Sequence, residues 1–457
     1  MTDFLQGKNK IHFIGIGGSG MYPLVQILHA QGYSITGSDN NETVTLDAVR
    51  RLGVGVYAGQ SADNIGNADL VIYSSAISRE NPELAAAYDR GIAVHDRAEL
   101  LGLLTRRHDR AVCVVGTHGK TTVTSMLVHI LLAAGLDISA FIGGKLKLID
   151  GSARLGSSGI MAVEACEFNN NFLKLDPNIT LVLNIDCDHM DCFGNMDNLR
   201  AAYTNFINLT SDLLIISADD ENTAIAVRNS DYKGKILKFG SENNMRVEVP
   251  GYYPRNIKKV SDFETSFEFM GDEIIISVPG EHNVLNAVAA SAAALQLGAD
   301  LDAVKRGLRG FTGAGRRFER LHDSGGIVVV DDYAHHPAEV EATLKTAKAM
   351  NFKRVWAVHQ PFTFSRTHAL LDDFAQALSL ADVVVLSEIM GGREQNTLGI
   401  KAEDLGNKIK NAIVIPDFES ISDYAAQNAE PGDLIITMGC GDVDKCARLI
   451  STKLQSK

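Results

Sequence analysis

The chain has 457 residues, 45% of them hydrophobic and 22% charged, with a formal net charge of −13. That length supports roughly two to four domains with ample core, and the composition is that of a soluble globular protein. The acidity argues against a general nucleic-acid binder, which carries a basic face, while leaving room for anionic ligands in local cradles.

The first apolar run, 11–16, breaks into glycines too early for a signal-peptide core, and a cytoplasmic protein is expected. The longest weakly polar run, 284–299, is alanine-rich and holds Asn286 and Gln296, so it predicts a buried helix and no membrane insertion. Six cysteines without a Cys-x-x-Cys pair fit thiols in a reducing compartment and make a structural zinc site improbable.

In chain order, strand-like and helix-like runs alternate, which predicts an α/β fold with mainly parallel sheets. The first block opens with a strand over 11–16, a glycine turn and a helix over 21–29. A second strand ends at Gly37, Ser38 and Asp39. The turn Gly15-Ile-Gly17-Gly18-Ser19-Gly20 is a full G-x-G-x-x-G between strand and helix, with Asp39 about 20 residues on, where a ribose-binding acid falls. A dinucleotide and a diphosphate-linked sugar nucleotide would use the same backbone donors, and a ligand-free packing turn would need the same glycines. A strand over 70–74 leads into Ser74-Ser75-Ala76-Ile77. The charged run 106–110 reads as a linker.

The second block starts with the buried strand from Val112, then Gly116-Thr117-His118-Gly119-Lys120-Thr121-Thr122 and a helix. Glycines admit phosphate to the backbone, N–H groups at the helix start point at it, and Lys120 offsets its charge. The hydroxyl of Thr121 is placed for Mg²⁺. The general pattern G-x-x-x-x-G-K-[ST] asks for glycine at 114, where this chain has Val114. Strands over 160–164, 180–185 and 213–217 follow. Glu164 ends one of them and can complete metal coordination, with Glu167 competing for that role. His189, among Asp186, Asp188 and Asp191, is a metal or phosphate ligand or plain polar surface. Residues 246–279 carry β signals and suggest a small antiparallel patch within this block. His282, Asn283 and Asn286 open a helix, either to hold a base edge or as an N-cap set with Asn283 capping.

Beyond the turn at 313–318, read as a hinge, the third block places Asp331-Asp332-Tyr333-Ala-His335-His336-Pro337 at one strand end. Gln360-Pro-Phe-Thr-Phe-Ser-Arg366-Thr367 stands at another. Loops at the carboxyl ends of parallel strands share one crevice, and Arg366 suits a carboxylate through its guanidinium fork.

Taken together, GIGGSGM at 15–21, GSD at 37–39, SSAI at 74–77, NPE at 81–83, GTHGKTT at 116–122, VEACE at 163–167, DHMD at 188–191, GEHNVLNA at 280–287, GRRFE at 315–319, DDYAHHP at 331–337, QPFTFSRT at 360–367 and MGCGD at 438–442 resemble the Mur ligases, in particular their alanine-adding branch. GTHGKTT is that family's own phosphate loop, which accounts for Val114.

The resemblance implies three α/β domains: an N-terminal Rossmann-like UDP-binding domain over 1–107, a central P-loop-type ATPase domain over 108–312 and a C-terminal Rossmann-like domain over 313–457. It implies ATP-driven amide formation between L-alanine and UDP-N-acetylmuramate through an acyl phosphate, with ATP and Mg²⁺, two ions, as cofactors. Gly17, Gly18, Ser19, Gly20, Ser38, Asp39, Ser74, Ser75 and Ala76 would hold the UDP-sugar. Gly116, Thr117, His118, Gly119, Lys120, Thr121, Thr122, His282, Asn283, Arg317 and Asp332 would hold ATP. Thr121, Glu164 and His189 would hold metal, and with Lys120 they form the catalytic set. Tyr333, His335, His336 and Arg366 would place the amino acid. The rivals are a recycling ligase that accepts a preformed peptide, a nicotinamide-dependent oxidoreductase using Gly15 to Gly20 and Asp39, and a nucleotide-binding regulator without turnover. Residues 244–260 match no pattern.

Overall fold

The computed structural model of the protein describes residues 3–455 apart from 75, 188, 189, 242–248 and 393. The first sheet is built from β1 (Lys10–Ile14), β2 (Ser34–Asp39), β3 (Gly55–Ala58), β4 (Leu70–Tyr73) and β5 (Ala93–Asp96). All pairs are parallel, in the order β3-β2-β1-β4-β5. The helices α1 (Tyr22–Ala30), α2 (Val44–Arg51), α3 (Pro82–Asp89) and α4 (Arg97–Arg106) connect them. Winding reverses beside β1, which has β2 on one side and β4 on the other, so a crevice opens at its carboxyl end, at the glycine turn.

The stretch 106–110 is no linker. A capping box between Asp96 and Glu99 starts α4, the helix runs to Arg106, and β6 (Arg110–Val115) begins after three residues. Two of those three are tied down: Arg107 pairs with Asp3 at 2.8 Å, and His108 bridges Leu104 O at 2.7 Å and Ser139 Oγ at 3.0 Å. Charge in the sequence suggested solvent, but these side chains find partners in neighbouring elements. One apolar cluster accordingly runs from Ile11 and Leu24 through Leu100 and Leu104 to Cys113 and Val115.

The middle sheet adds α5 (Lys120–Ala133), β7 (Ser139–Leu146), β8 (Gly151–Arg154), β9 (Ile160–Glu164), β10 (Ile179–Val182), α6 (Met190–Phe193), α7 (Met196–Asn208), β11 (Leu213–Ser217), α8 (Glu221–Arg228), β12 (Lys235–Phe239) and β13 (Gly251–Tyr252). Its order is β13-β12-β11-β10-β6-β9-β7-β8. Among the described strand pairs of this sheet only β7–β8 is antiparallel. The strand β6 is fully buried beyond Arg110 and lies between β10 and β9, so its carboxyl end is a second switch point. A separate sheet of β14 (Arg255–Lys259), β15 (Thr265–Phe269) and β16 (Asp272–Ile276) holds the expected antiparallel pair, β15–β16. Helices α9 (Glu281–Gln296) and α10 (Leu301–Gly310) pack against α5.

The chain divides into two compact units, and the second takes over at Thr312. Residues 259–264 and 277–280 also cluster with it. The reason is local packing. Phe263 lies 4.9 Å under the Arg320 guanidinium, Asp262 accepts from Asn351 N at 3.1 Å, and Lys259 donates to Ala349 O at 2.8 Å. The second unit is a six-stranded sheet of β17 (Glu319–Ser324), β18 (Ile327–Asp332), β19 (Arg354–His359), β20 (Val383–Leu386), β21 (Ile413–Val414) and β22 (Asp433–Met438). Its order is β17-β18-β22-β19-β20-β21, parallel except for β17. Helices α11 (Pro337–Lys348), α12 (Phe364–Ala369), α13 (Leu371–Leu378), α14 (Ala402–Gly406), α15 (Phe418–Asn428) and α16 (Asp444–Gln455) complete it. Among the described residues no helix is long and apolar enough to cross a membrane.

Gly102 marks the closest approach of α4 to the segment after β9. A Cβ there would lie 2.0 Å from Lys174 O, a backbone atom that cannot swing aside. Gly102→Ala is expected to cost ~2 kcal/mol through overpacking, read as a lowered midpoint in urea denaturation.

Candidate active site

At the carboxyl end of β1 the glycine turn is held from below. Asp39 accepts from Gly17 N at 2.9 Å and from Asn41 N at 3.0 Å. A side chain at Gly17 would strike that carboxylate at 2.9 Å, so glycine is required by close approach. Ser38 is buried and donates to Glu83 Oε2 at 2.6 Å. Glu83, the acid of the NPE landmark, also accepts from Asn64 Nδ2 at 2.7 Å and Ser61 N at 3.2 Å and faces His12 Nε2 at 3.3 Å. Burial would raise its carboxyl, but His12, Ser38 and Asn64 outweigh burial and hold it below the usual range. Gly18 and Ser19 lie on the open turn, and Ser74 Oγ accepts from Ala76 N at 3.3 Å. Ser75 lies outside the described residues, as do Asp188 and His189.

The phosphate loop is braced on both flanks. Gly119 caps α5 with φ 85°, in the left-handed region that favours glycine. On the β10 side, Thr117 N donates to Asn184 O at 3.1 Å, His118 N to Asn184 Oδ1 at 2.8 Å, and Asp186 N to Thr117 Oγ1 at 2.9 Å. On the β9 side, Thr121 Oγ1 donates to Glu164 Oε1 at 2.9 Å, and Gly143 N donates to Glu164 Oε2 at 2.6 Å. Lys120 Nζ meets Glu167 at 2.9 Å and Gly116 O at 2.5 Å. Burial pulls the Lys120 ammonium down, but Glu167 above all holds it raised, so the lysine is charged. The two acids therefore separate: Glu164 takes the hydroxyl, Glu167 the ammonium. Asn286 reaches the same loop from α9, its Oδ1 2.9 Å from where a Gly119 Cβ would stand, and donates to Asn283 Oδ1 at 3.1 Å. Asn283 lies in the first turn of α9, which begins at Glu281, so it is not the N-cap. His282 is exposed beside it.

In the second unit, Asp332 is buried and accepts from Phe318 N at 2.7 Å and Ala334 N at 2.8 Å. Burial pushes its carboxyl up, against the pull of Arg317. The Tyr333 ring lies under two guanidiniums, Arg317 at 4.9 Å and Arg316 at 5.0 Å. Arg316, at φ 60°, pairs with Asp331 at 2.9 Å and donates to Gly441 O at 2.7 Å. Burial pushes Asp331 up to about 6 despite Arg316 and Thr437. His335 contacts Tyr333 O and Glu339 Oε2, both at 3.1 Å, and His336 caps α11. Arg366 donates to Phe362 O at 3.2 Å. The turn before it is clamped by Glu394, which accepts from Thr363 Oγ1 at 2.7 Å, Ser365 Oγ at 2.6 Å and Ser365 N at 2.9 Å.

Three family models match in sequence order: the Mur ligase family catalytic domain over 10–109, the Mur ligase middle domain over 114–294, and the Mur ligase glutamate ligase domain over 316–441. The chain belongs to the Mur ligase family. It is 41% identical over 452 residues to a UDP-N-acetylmuramate--L-alanine ligase of Acetivibrio thermocellus, covering 96% of this chain and 95% of that one. It is 42% identical over 447 residues to one of Lachnospira eligens, covering 95% and 96%. The crystal structure of the UDP-N-acetylmuramate-alanine ligase of Thermotoga maritima superposes with a TM-score of 0.83 at 30% identity, covering 98% and 99%. A murein peptide ligase of Psychrobacter arcticus shares the fold, with a TM-score of 0.72 at 24% identity.

The protein is therefore an enzyme, an ATP-dependent amide-forming Mur ligase with three α/β domains, and the oxidoreductase alternative falls away. Sequence reasoning weighed Glu167 for the metal and Asn286 for a base edge, but passed over Arg316 and Glu394 as site-building groups. Both depend on partners at least 15 residues away.

One titration in this region has a sign that can be tested. His359 ends β19, fully buried, with its ring 5.4 Å from that of Phe374. Burial pushes its imidazole down to about 4. The unfolded chain takes up this proton near pH 6.5 and the folded chain does not, so stability falls as pH drops from about 6.5 to 4. His359→Phe is expected to shrink that loss by up to ~3 kcal/mol, measured by urea denaturation at pH 7 and pH 4.5.

Proposed function

We propose that this Mur ligase joins L-alanine to the carboxylate of UDP-N-acetylmuramate, with cleavage of ATP to ADP and phosphate. The observation that carries the reading is identity near 40% along almost the whole length to ligases named for that reaction, joined to a phosphate loop whose lysine and hydroxyl face two buried or half-buried acids. In this reading the three domains span 1–107, 108–312 and 313–457 and take the UDP-sugar, ATP and the amino acid.

The chemistry follows from charge. The muramate carboxylate attacks the γ-phosphorus, and the amine of alanine then attacks the acyl phosphate through a tetrahedral intermediate. Negative charge grows on the transferring phosphoryl oxygens, and Lys120 with the N–H groups at the start of α5 is aimed at that charge. Thr121 Oγ1 and Glu164 form a pair of hard oxygen donors 2.9 Å apart, which suits Mg²⁺ completed by water and phosphate oxygens. Among the described residues no group of three or more His, Cys, Asp or Glu side chains converges. Such an ion supplies neutralisation of the triphosphate. A second ion would be held by His189. Asn283, Asn286 and His282 would lie near the base. Arg317 and Asp332 would contact the nucleotide from the second unit. Arg366, with Tyr333, His335 and His336, would fix the carboxylate of alanine. The UDP-sugar would lie on residues 17–20 and 38–39 and the turn at 74–76.

A phosphate-release assay with UDP-N-acetylmuramate, ATP and a panel of amines tests this. L-alanine is expected to give the highest kcat/KM and an alanyl-led tripeptide none; preference for the peptide would assign a recycling ligase instead. Lys120→Ala is expected to lower kcat by about a thousandfold or more while UDP-sugar affinity stays within twofold. Asp39→Ala is expected to weaken UDP-sugar binding about tenfold and spare ATP, as followed by calorimetry with each ligand.

A further inference from the structure

The sequence singled out no function for Arg97, yet its side chain stands at the glycine turn. It is the first residue of α4, just beyond the carboxyl end of β5. A Cβ on Gly20 would come within 2.9 Å of Arg97 Nη1, 3.2 Å of Cζ and 3.3 Å of Nε. The guanidinium therefore lies against Gly20, in the space that a side chain there would enter. The charge of Arg97, with that of Lys120, also acts on the Cys166 thiol beside Glu167.

Among the described residues this cation has no anion to hold. The nearby acids are committed elsewhere: Asp96 to Ala98 N, Glu99 N and Lys174, and Glu99 to His95 and Asp96 N. Among the described residues no acceptor takes the Arg97 N–H groups, and none takes the backbone N–H of Ser19 or Gly20. A half-buried guanidinium carries five donors and no acceptor. It stands beside two open backbone donors, and its fork geometry is one that phosphate and carboxylate match.

We propose that Arg97 is a substrate-binding residue that grips an anionic group of the UDP-linked acid, a diphosphate oxygen or the sugar carboxylate, at the edge of the glycine turn. The inference rests on the reading of that turn as the UDP-sugar site. It adds a side-chain cation to what was otherwise a cradle of backbone donors.

The test is calorimetric binding of UDP, UDP-N-acetylglucosamine and UDP-N-acetylmuramate to the wild type, Arg97→Gln and Arg97→Lys, with ATP titrated separately. Arg97→Gln is expected to weaken UDP-N-acetylmuramate about thirtyfold, with Arg97→Lys in between, and to leave ATP affinity within twofold. An equal loss for all three ligands supports a diphosphate contact; a loss confined to UDP-N-acetylmuramate supports a carboxylate contact. Unchanged affinity for all three, or an equal loss for ATP, overturns the proposal. If Arg97→Gln does not fold, Arg97→Lys decides: wild-type affinity and wild-type salt dependence overturn it. Failure of the wild type to bind any UDP ligand would instead remove the UDP-sugar reading.

Discussion

A lysine that must meet a triphosphate has to be charged before the ligand arrives, and in a site with little water that charge needs an anion. Glu167 supplies it. The Lys120–Glu167 pair fixes α5 to the segment after β9, just as Thr121–Glu164 fixes the next residue to the strand end itself. Two adjacent residues of one helix are thus tied to two acids three residues apart. That arrangement sets the distance between the helix start and the neighbouring strand, and with it the width of the cradle. A buried pair of this kind adds little net stability, but loss of either partner leaves an uncompensated charge. The pair fixes position at the cost of tolerance to substitution.

The same device recurs wherever a loop of this acidic protein must present donors outward. Asp39 lies under the first glycine turn, Glu83 under the end of β2, Asp332 under the turn at 316–318, and Glu394 under the turn that carries Arg366. Each carboxylate takes two or more N–H or O–H groups from a loop, which holds that loop in one conformation. The residues that would touch substrate then need to pay no large ordering cost on binding. Acidic net charge and anion binding are compatible here because many of the acids face inward, bonded to the backbone, while Lys120 and Arg97 stand at the two glycine turns.

Parallel strands explain why so few elements supply so many candidate residues. In each of the three large sheets the chain leaves a central strand at its carboxyl end and enters a turn, and the neighbouring strands end beside it. The glycine turn follows β1, the phosphate loop follows β6, and the Asp331–Asp332 and Gln360 segments follow β18 and β19, which both pair with β22. Those loops were legible because glycine spacing, strand-length apolar runs and lysine after glycine are local signals. The charged run at 106–110 was misleading because its partners, Asp3 and Ser139, are remote in sequence. The seat of residues 259–264 was hidden because one phenylalanine, Phe263, and its cation partner decide it.

By itself the sequence determined the alternating α/β pattern, the order of the three domains, the two glycine turns and the identity of Lys120, Thr121 and Glu164 as candidates for phosphate and metal. Periodicity and turn chemistry act over a few residues, so they survive in one dimension. Which acid answers Lys120, which asparagine overlies Gly119, and that Arg97 lies against Gly20 were decided only by tertiary structure. Each is a contact across at least 47 residues of chain, save none, and the energy of such a contact depends on burial and distance that no local pattern encodes.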